Sequence, residues 1–297
     1  MQKSHTCEPT IEEGWKICQD CGIYLPASKN QCFRENNPTC IKISHQSLLK
    51  NYRENSDYNR GFNPSATYLK YRKILIDWIC EVGESLHLSL LTIQTAASLY
   101  DSLLSTKEFS KPLLQPIGLI ALLVAAKSEE GDENVPRFHQ LVRFTQNSVA
   151  TLKRLELELL TTLKWQIVVV TPLHFIYFYT SHGVVFINDA IGASRVNERT
   201  ASYVRKYAEF FADLALQEHE FIQFSAENIA CACIAGARKV VGIFNIWPAE
   251  LEEMTGKKLE NTCFGKLWKN YQESFVADGN SKVKQSKENK ENVRKNV

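Results

Sequence analysis

Apolar residues along this chain recur at helical intervals from about Tyr68 to Phe275. Ile74, Leu75, Trp78, Ile79 and Val82 fall at i, i+1, i+4, i+5 and i+8, one face of a helix. The spacing predicts a second helix over 89–105, and Pro112 then opens the most apolar segment of the chain. From Ile117 to Ala126 ten residues carry neither charge nor a hydrogen-bonding side chain. That run is short of the roughly 20 apolar residues a bilayer requires, and no other run approaches that length. It suffices for about three turns of helix buried on nearly every side. Gly118, Ala121, Ala125 and Ala126 would let neighbouring helices approach closely, so the segment reads as the central helix of an all-helical domain. A short helix from Pro136 and another over 148–163, with Leu152, Leu155, Leu159, Leu160 and Leu163 on one face, complete a set of five.

The set then recurs. Pro172 opens an aromatic helix (Phe175, Tyr177, Phe178, Tyr179), and a second covers 201–216. A small-residue helix, Ala226 to Val241, follows the first such helix by about 110 residues. Trp247-Pro248 starts a short helix, and 259–275 forms the last. Two sets of five helices with an Ala-rich middle argue for a tandem duplication. Strand signal is almost absent; Ile167 to Val170 is β-branched but short and reads as an extended connection between repeats. The predicted organisation is a Cys-rich N-terminal extension (1–50), a linker (51–67), two five-helix units (68–170 and 171–276) and a disordered basic tail (277–297).

Composition refines this picture. The 297 residues are 44% hydrophobic and 23% charged, and the net charge of +2 argues against a dedicated nucleic-acid binder. From Gly279 onward six Lys/Arg face two Glu, so the tail carries +4 and the rest of the chain −2. Met1-Gln-Lys-Ser-His-Thr-Cys7 lacks an apolar leader core, which predicts an intracellular, non-secreted protein. Five of the nine cysteines lie in the first 40 residues. Trp15-Lys-Ile-Cys18-Gln-Asp-Cys21-Gly22 has the form of a zinc knuckle, two thiolates on a tight turn. A tetrahedral site needs two more ligands. Cys32 and Cys40 are the nearest, with His5, Cys7 and His45 in reserve, so one structural zinc is the expectation. No βαβ pattern surrounds the CxxC to favour a redox role. Cys80, Cys231, Cys233 and Cys263 sit in apolar helical patterns, where a thiol is a small core residue.

Several motifs in order and spacing carry a family resemblance. They are Tyr71-Arg-Lys-Ile-Leu-Ile-Asp-Trp78, then Leu114-Gln115 followed by Leu-Leu-Val-Ala-Ala-Lys127-Ser-Glu-Glu130, and Leu155-Glu156-Leu-Glu-Leu-Leu160 with Leu163-Lys-Trp165 and Thr171-Pro172. These resemble the cyclin box, and Trp247-Pro248-Ala-Glu-Leu251 with the Ala-rich helix resembles the family's second fold. Asn134-Val-Pro136 and Lys206-Tyr-Ala-Glu-Phe-Phe211 are most similar to the cyclin J branch. The resemblance implies a non-catalytic subunit that docks on a cyclin-dependent protein kinase and repositions its active-site helix. It implies Lys127 and Glu156 as polar contacts to that kinase, with Val124, Ser128, Leu160, Trp165 and Ile167 around them. Ser128 stands where the family has an aromatic residue. It further implies a docking patch for substrates or inhibitors with a basic-hydrophobic motif, at Tyr71, Ile74, Leu75, Trp78, Glu81 and Gln115. Tyr71 replaces the usual methionine. Arg72 and Asp101 match a structural ion pair.

The tail contains Lys287-Glu288-Asn289 followed directly by Lys290-Glu291-Asn292, two copies of a KEN box, the degradation signal read by the anaphase-promoting ubiquitin ligase. The expected location is nucleus and cytoplasm, with no membrane association. No Walker loop, GxSxG or HExxH is present, so an enzyme reading has no support. A metal knuckle followed by two such folds is also the layout of a transcription factor IIB-like adaptor, and a transcriptional cyclin is an intermediate reading. An adaptor would need a basic DNA-facing surface, whereas the body here is slightly acidic.

Overall fold

Serine and asparagine caps start five of the helices. Ser65, Ser89, Ser148, Asn197 and Ser225 each accept a hydrogen bond from the backbone N–H three residues on, satisfying one donor that an unstarted helix leaves free. The computed structural model describes residues 7–9, 15–18, 24–26, 41–56, 65–192 and 194–276. Helix α1 spans Ile41–Asn55. The first five-helix unit comprises α2 (Ala66–Ser85), α3 (Leu90–Thr106), α4 (Leu114–Glu129), α5 (Phe138–Leu141) and α6 (Val149–Thr162). The second comprises α7 (Pro172–His182), α8 (Glu198–Gln217), α9 (Ala226–Val241), α10 (Ala249–Thr255) and α11 (Asn261–Tyr271).

Each unit wraps its central helix. α4 and α9 are both 16 residues long and both bury 12 of them. Glycine sets the distance between helices: a Cβ on Gly118 of α4 would lie 3.1 Å from Ile79 and 3.4 Å from Trp78 on α2. Gly236 of α9 has the same relation to Phe211 of α8, at 3.1 Å. The stretch Lys111–Glu129 is, by length and composition, long and apolar enough to pass for a membrane span, contrary to the sequence expectation; it is instead the enclosed core of the first unit. The boundary between the two cores falls between Val169, packed in the first, and Val170, packed in the second.

Two regions depart from the sequence reading. The expected linker at 51–67 and the end of the extension at 50 are crossed by α1, which packs on the second unit. Leu49 and Tyr52 lie against its core, with Tyr52 edge-on to His174 and Phe175 at 5.5 and 5.6 Å between ring centres. Arg53 bonds the buried carboxylate of Glu227 at 2.7 Å and the Thr255 carbonyl at 2.8 Å. Glu227 also accepts from Tyr179 and lies 3.0 Å from Lys257. Short strands, for which the sequence shows almost no signal, also occur. β1 (Cys7–Pro9), β2 (Trp15–Cys18) and β3 (Tyr24–Pro26) form an antiparallel sheet, and β4 (Ala190–Ile191) pairs with β5 (Ser194–Arg195) between α7 and α8.

Buried charge joins the parts. Arg72 on α2 donates to both carboxylate oxygens of Asp101 on α3, at 2.9 and 2.8 Å. It also donates to the Leu216 and Gln217 carbonyls at the end of α8, each at 3.0 Å, so one guanidinium ties the first unit to the second. Beside it Lys73 meets Glu218 at 2.6 Å. In the second unit Arg238, fully buried, holds Asp189 at 2.7 Å and the Val184 and Asn245 carbonyls.

Candidate functional site

The last turn of α4 carries Lys127, where a cation opposes the negative end of the helix dipole. Its Nζ donates to Glu156 Oε1 of α6 at 2.6 Å and stands 5.8 Å from the centre of the Phe138 ring. The two polar residues singled out in the sequence are therefore joined on one face. The end of the helix is fixed from behind. Glu130 accepts from Ser89 N at 2.7 Å and Thr92 Oγ1 at 2.6 Å, fastening the end of α4 to the start of α3. Burial alone would raise the Glu130 carboxyl, but these hydrogen bonds outweigh it and hold the group below its ordinary value. Glu129, hydrogen-bonded by Thr95, is raised by desolvation.

Along the chain that follows Glu156 several large apolar side chains are exposed. Trp165 is 63% exposed, Val168 65% and Leu157 57%, with Leu160 and Ile167 half-buried and Ser128 exposed. Val124, expected among the surface residues, is 2% exposed and packs in the first core, so it supports the face from below. Leu157 and Val168 were not singled out in the sequence, because an apolar residue one step off a buried stripe carries no mark of its own exposure. Trp165 is held out by an uncommon turn: Lys164 and Trp165 take φ of 52° and 61°, and Trp165 N donates to the Leu160 carbonyl at 2.8 Å. Two successive left-handed non-glycine residues strain the backbone, and such strain concentrates at functional surfaces.

The duplication does not repeat this arrangement. α9 and α11 begin at 226 and 261, each 112 residues after α4 at 114 and α6 at 149. That register puts Lys239 at the place of Lys127 and Trp268 at the place of Glu156. Lys239 lies over the Trp268 ring at 4.1 Å, a cation on an aromatic face where the first unit has an ion pair.

A second surface lies between α2 and α4. Tyr71 and Trp78 are half-buried, Glu81 and Gln115 exposed, Leu75 buried in the core, and Ile74 stands 68% exposed on the outer face. Of the expected zinc ligands, Cys18 ends β2, while Cys21, Cys32 and Cys40 fall outside the described residues, as do Lys287, Glu288, Asn289, Lys290, Glu291 and Asn292.

Comparison with known proteins agrees with this architecture. Residues 41–168 match the family described as Cyclin, N-terminal domain, and residues 170–295 match Cyclin, C-terminal domain. Cyclin-J of Xenopus laevis is 30% identical over 203 residues, covering 66% of this chain and 53% of that protein. Cyclin-J of Homo sapiens is 29% identical, covering 66% and 52%. The chain thus spans about half the length of the curated relatives it matches. Among solved structures, a viral cyclin from herpesvirus saimiri superposes with a TM-score of 0.62 at 18% identity, over 77% of this chain and 98% of that one. A chain of the yeast RNA Pol II CTD kinase CTDK-1 complex gives 0.52 at 14% identity, over 81% and 74%. At those identities the likeness is one of fold. With both domain families matched in tandem across both five-helix units, the chain belongs to the cyclin family.

Proposed function

We propose that this chain is a regulatory subunit that binds and activates a cyclin-dependent protein kinase through the face around Lys127 and Glu156. The observation that carries the reading is that pair, held at 2.6 Å between the last turn of α4 and the middle of α6, with Leu157, Trp165 and Val168 exposed along the chain that follows Glu156. Charged groups already fixed in place lose little freedom on binding, and a large exposed aromatic beside them has the makings of an energetic anchor. Ser128 leaves the position after Lys127 without an aromatic ring, which shifts the weight of the apolar contact onto Trp165.

The test uses a charge swap. Lys127→Glu with Glu156→Arg keeps an ion pair within the chain while reversing what is presented to a partner. Wild-type protein isolated from cells should bring a protein kinase with it and stimulate that kinase, and the swapped protein should do neither at unchanged thermal stability. Kinase retained by the swapped protein would remove the assignment.

The same reading extends to three features. The α2–α4 surface serves as a docking patch for substrates or inhibitors with a basic-hydrophobic motif. The two KEN sequences at 287–292 serve as a degradation signal for the anaphase-promoting ubiquitin ligase, consistent with a role in cell division. The N-terminal thiols hold one structural zinc. The β1–β2 register sets Cys7 opposite Cys18, which adds Cys7 to the thiols near the CxxC. Zinc analysis of the purified chain should return about one metal per chain, and a metal-free protein would exclude the site.

A further inference from the structure

The surface between α2 and α4 is electrically ordered along its length. Lys111 Nζ lies 4.7 Å from the centre of the Tyr71 ring, and Gly118 abuts Trp78. The two helices therefore run side by side in the same direction, with Tyr71 at one end of the groove and Trp78 towards the other. Lys70 and Lys111 stand exposed at the Tyr71 end. Glu81 and Glu84 stand exposed at the far end, with Asp77 half-buried between. Lys73 is engaged by Glu218 and does not enter this count. Among the described residues Lys70, Glu81 and Glu84 have no ion-pair partner on the chain.

This order opposes the stability of α2. A helix favours acidic residues in its first turn and basic ones in its last, and α2 has neither. Its positive N-terminal end carries lysine and its negative C-terminal end carries glutamate, so dipole and side chains reinforce one another into a groove positive at one end and negative at the other. Lys70, Ile74 and Glu81 are at i, i+4 and i+11, on one face, with exposed Ile74 between the charges. Eleven residues of helix rise about 16 Å, which an extended segment covers in about five residues.

We propose that the α2–α4 groove takes an extended segment of a partner protein with a basic residue for the Glu81 end, one or two apolar residues for Ile74 and Trp78, and an acidic residue about five positions from the basic one for Lys70 and Lys111. This rests on the docking-patch reading above and adds to it the acidic residue. Charge complementarity fixes the occupant: a segment that is only basic and apolar leaves Lys70 and Lys111 unanswered, and repels them if its basic residues continue past the apolar ones.

The experiment measures fluorescence anisotropy of labelled six-residue peptides against the full chain. The probes are Arg-Gly-Leu-Phe-Gly-Glu, the same peptide ending in Gln, and the same ending in Lys. The Glu peptide should bind roughly fivefold more tightly than the Gln peptide and roughly tenfold or more above the Lys peptide, with the advantage shrinking as salt rises. Lys70→Glu with Lys111→Glu should invert the order at unchanged thermal stability. Ile74→Asp should weaken all three. Equal binding of the Glu and Gln peptides overturns the acidic requirement and leaves the docking patch standing. No binding by any peptide, in wild type and variants alike, overturns both. Binding that emerges only when residues 277–297 are deleted assigns the groove to the chain's own tail and overturns the partner.

Discussion

Arg72 is stable in the interior because its donors are spent on fixed acceptors: two carboxylate oxygens of Asp101 and two carbonyls of the neighbouring unit. A buried charge that loses its partner is worth several kcal/mol of instability. Arg72→Met should therefore lower the free energy of unfolding by about 3–5 kcal/mol in a denaturant titration. A loss within the range of a surface substitution, below about 0.5 kcal/mol, would mean that the pair contributes only geometry. Two other groups make opposed contributions to the response to pH. Desolvation pushes the Asp213 carboxyl up to about 6 and the His174 imidazole down to about 4. His174 Nδ1 accepts from Thr171 N at 3.1 Å, a bond available only to the neutral ring. The signs oppose. Asp213 binds its proton more readily folded than unfolded, so its contribution is full below its ordinary value and is lost as pH rises through about 6. His174 binds its proton less readily folded, so its contribution is full above 6.5 and is lost as pH falls towards 4. Each acts with a slope of at most about 1.4 kcal/mol per pH unit, and between pH 4 and 6 they largely cancel. Asp213→Asn should gain roughly 2 kcal/mol at neutral pH and expose the His174 slope, so that stability falls on acidification below 6.5. A variant with the same pH profile as wild type would refute the cancellation.

At the level of elements, the helices within each unit were legible because their signal is local. Periodic apolar positions, proline near the first turn and a serine cap lie within one helix length of each other, and both Ala-rich helices were placed to within a turn. α1 was not legible for the complementary reason. Its apolar residues, Ile41, Ile43, Leu48, Leu49 and Tyr52, do not form one sustained helical stripe, and the partners that hold it, His174, Phe175 and Glu227, lie more than 100 residues away. The same holds for Arg238 with Asp189, since no periodicity marks a long-range ion pair. The candidate face was legible in its charges and less so in its surroundings: Lys127 and Glu156 meet, while Val124 lies beneath the surface and Leu157 and Val168 lie on it. α1 offers a direct test of how it is held. Arg53→Ala removes one of three partners of Glu227 and leaves Tyr179 and Lys257, so the loss should be about 2 kcal/mol and not the full penalty of an orphaned carboxylate. Adding Lys257→Ala should cost more than the sum of the two single changes, because only then is the carboxylate left with a neutral donor. Strict additivity in that double-mutant cycle would show that the three partners do not share one acceptor.

For the molecule as a whole, the two units have separate cores, divided between Val169 and Val170, and are coupled by polar ties together with a few apolar contacts, Leu90 and Leu91 on the second core and Leu216 on the first. Arg72 reaches the Leu216 and Gln217 carbonyls, Lys73 reaches Glu218, and α1 spans from the extension to Glu227. This coupling matters for the proposed function, because the surface proposed to face the kinase lies on the first unit while α1 is secured on the second. A chain of this kind should unfold as one body only while those ties hold. Calorimetry of the wild-type chain should show a single transition, and Arg72→Leu with Lys73→Ala should resolve it into two, the first unit melting earlier since it loses the buried partner of Asp101. Arg53→Ala should shift the second transition and leave the first in place, because Glu227 lies wholly within the second core. If the tie-breaking variant still melts in one transition at a lower temperature, the apolar contacts of Leu216 with the first core and of Leu90 and Leu91 with the second are enough to couple the units, and the polar ties then contribute stability without controlling cooperativity.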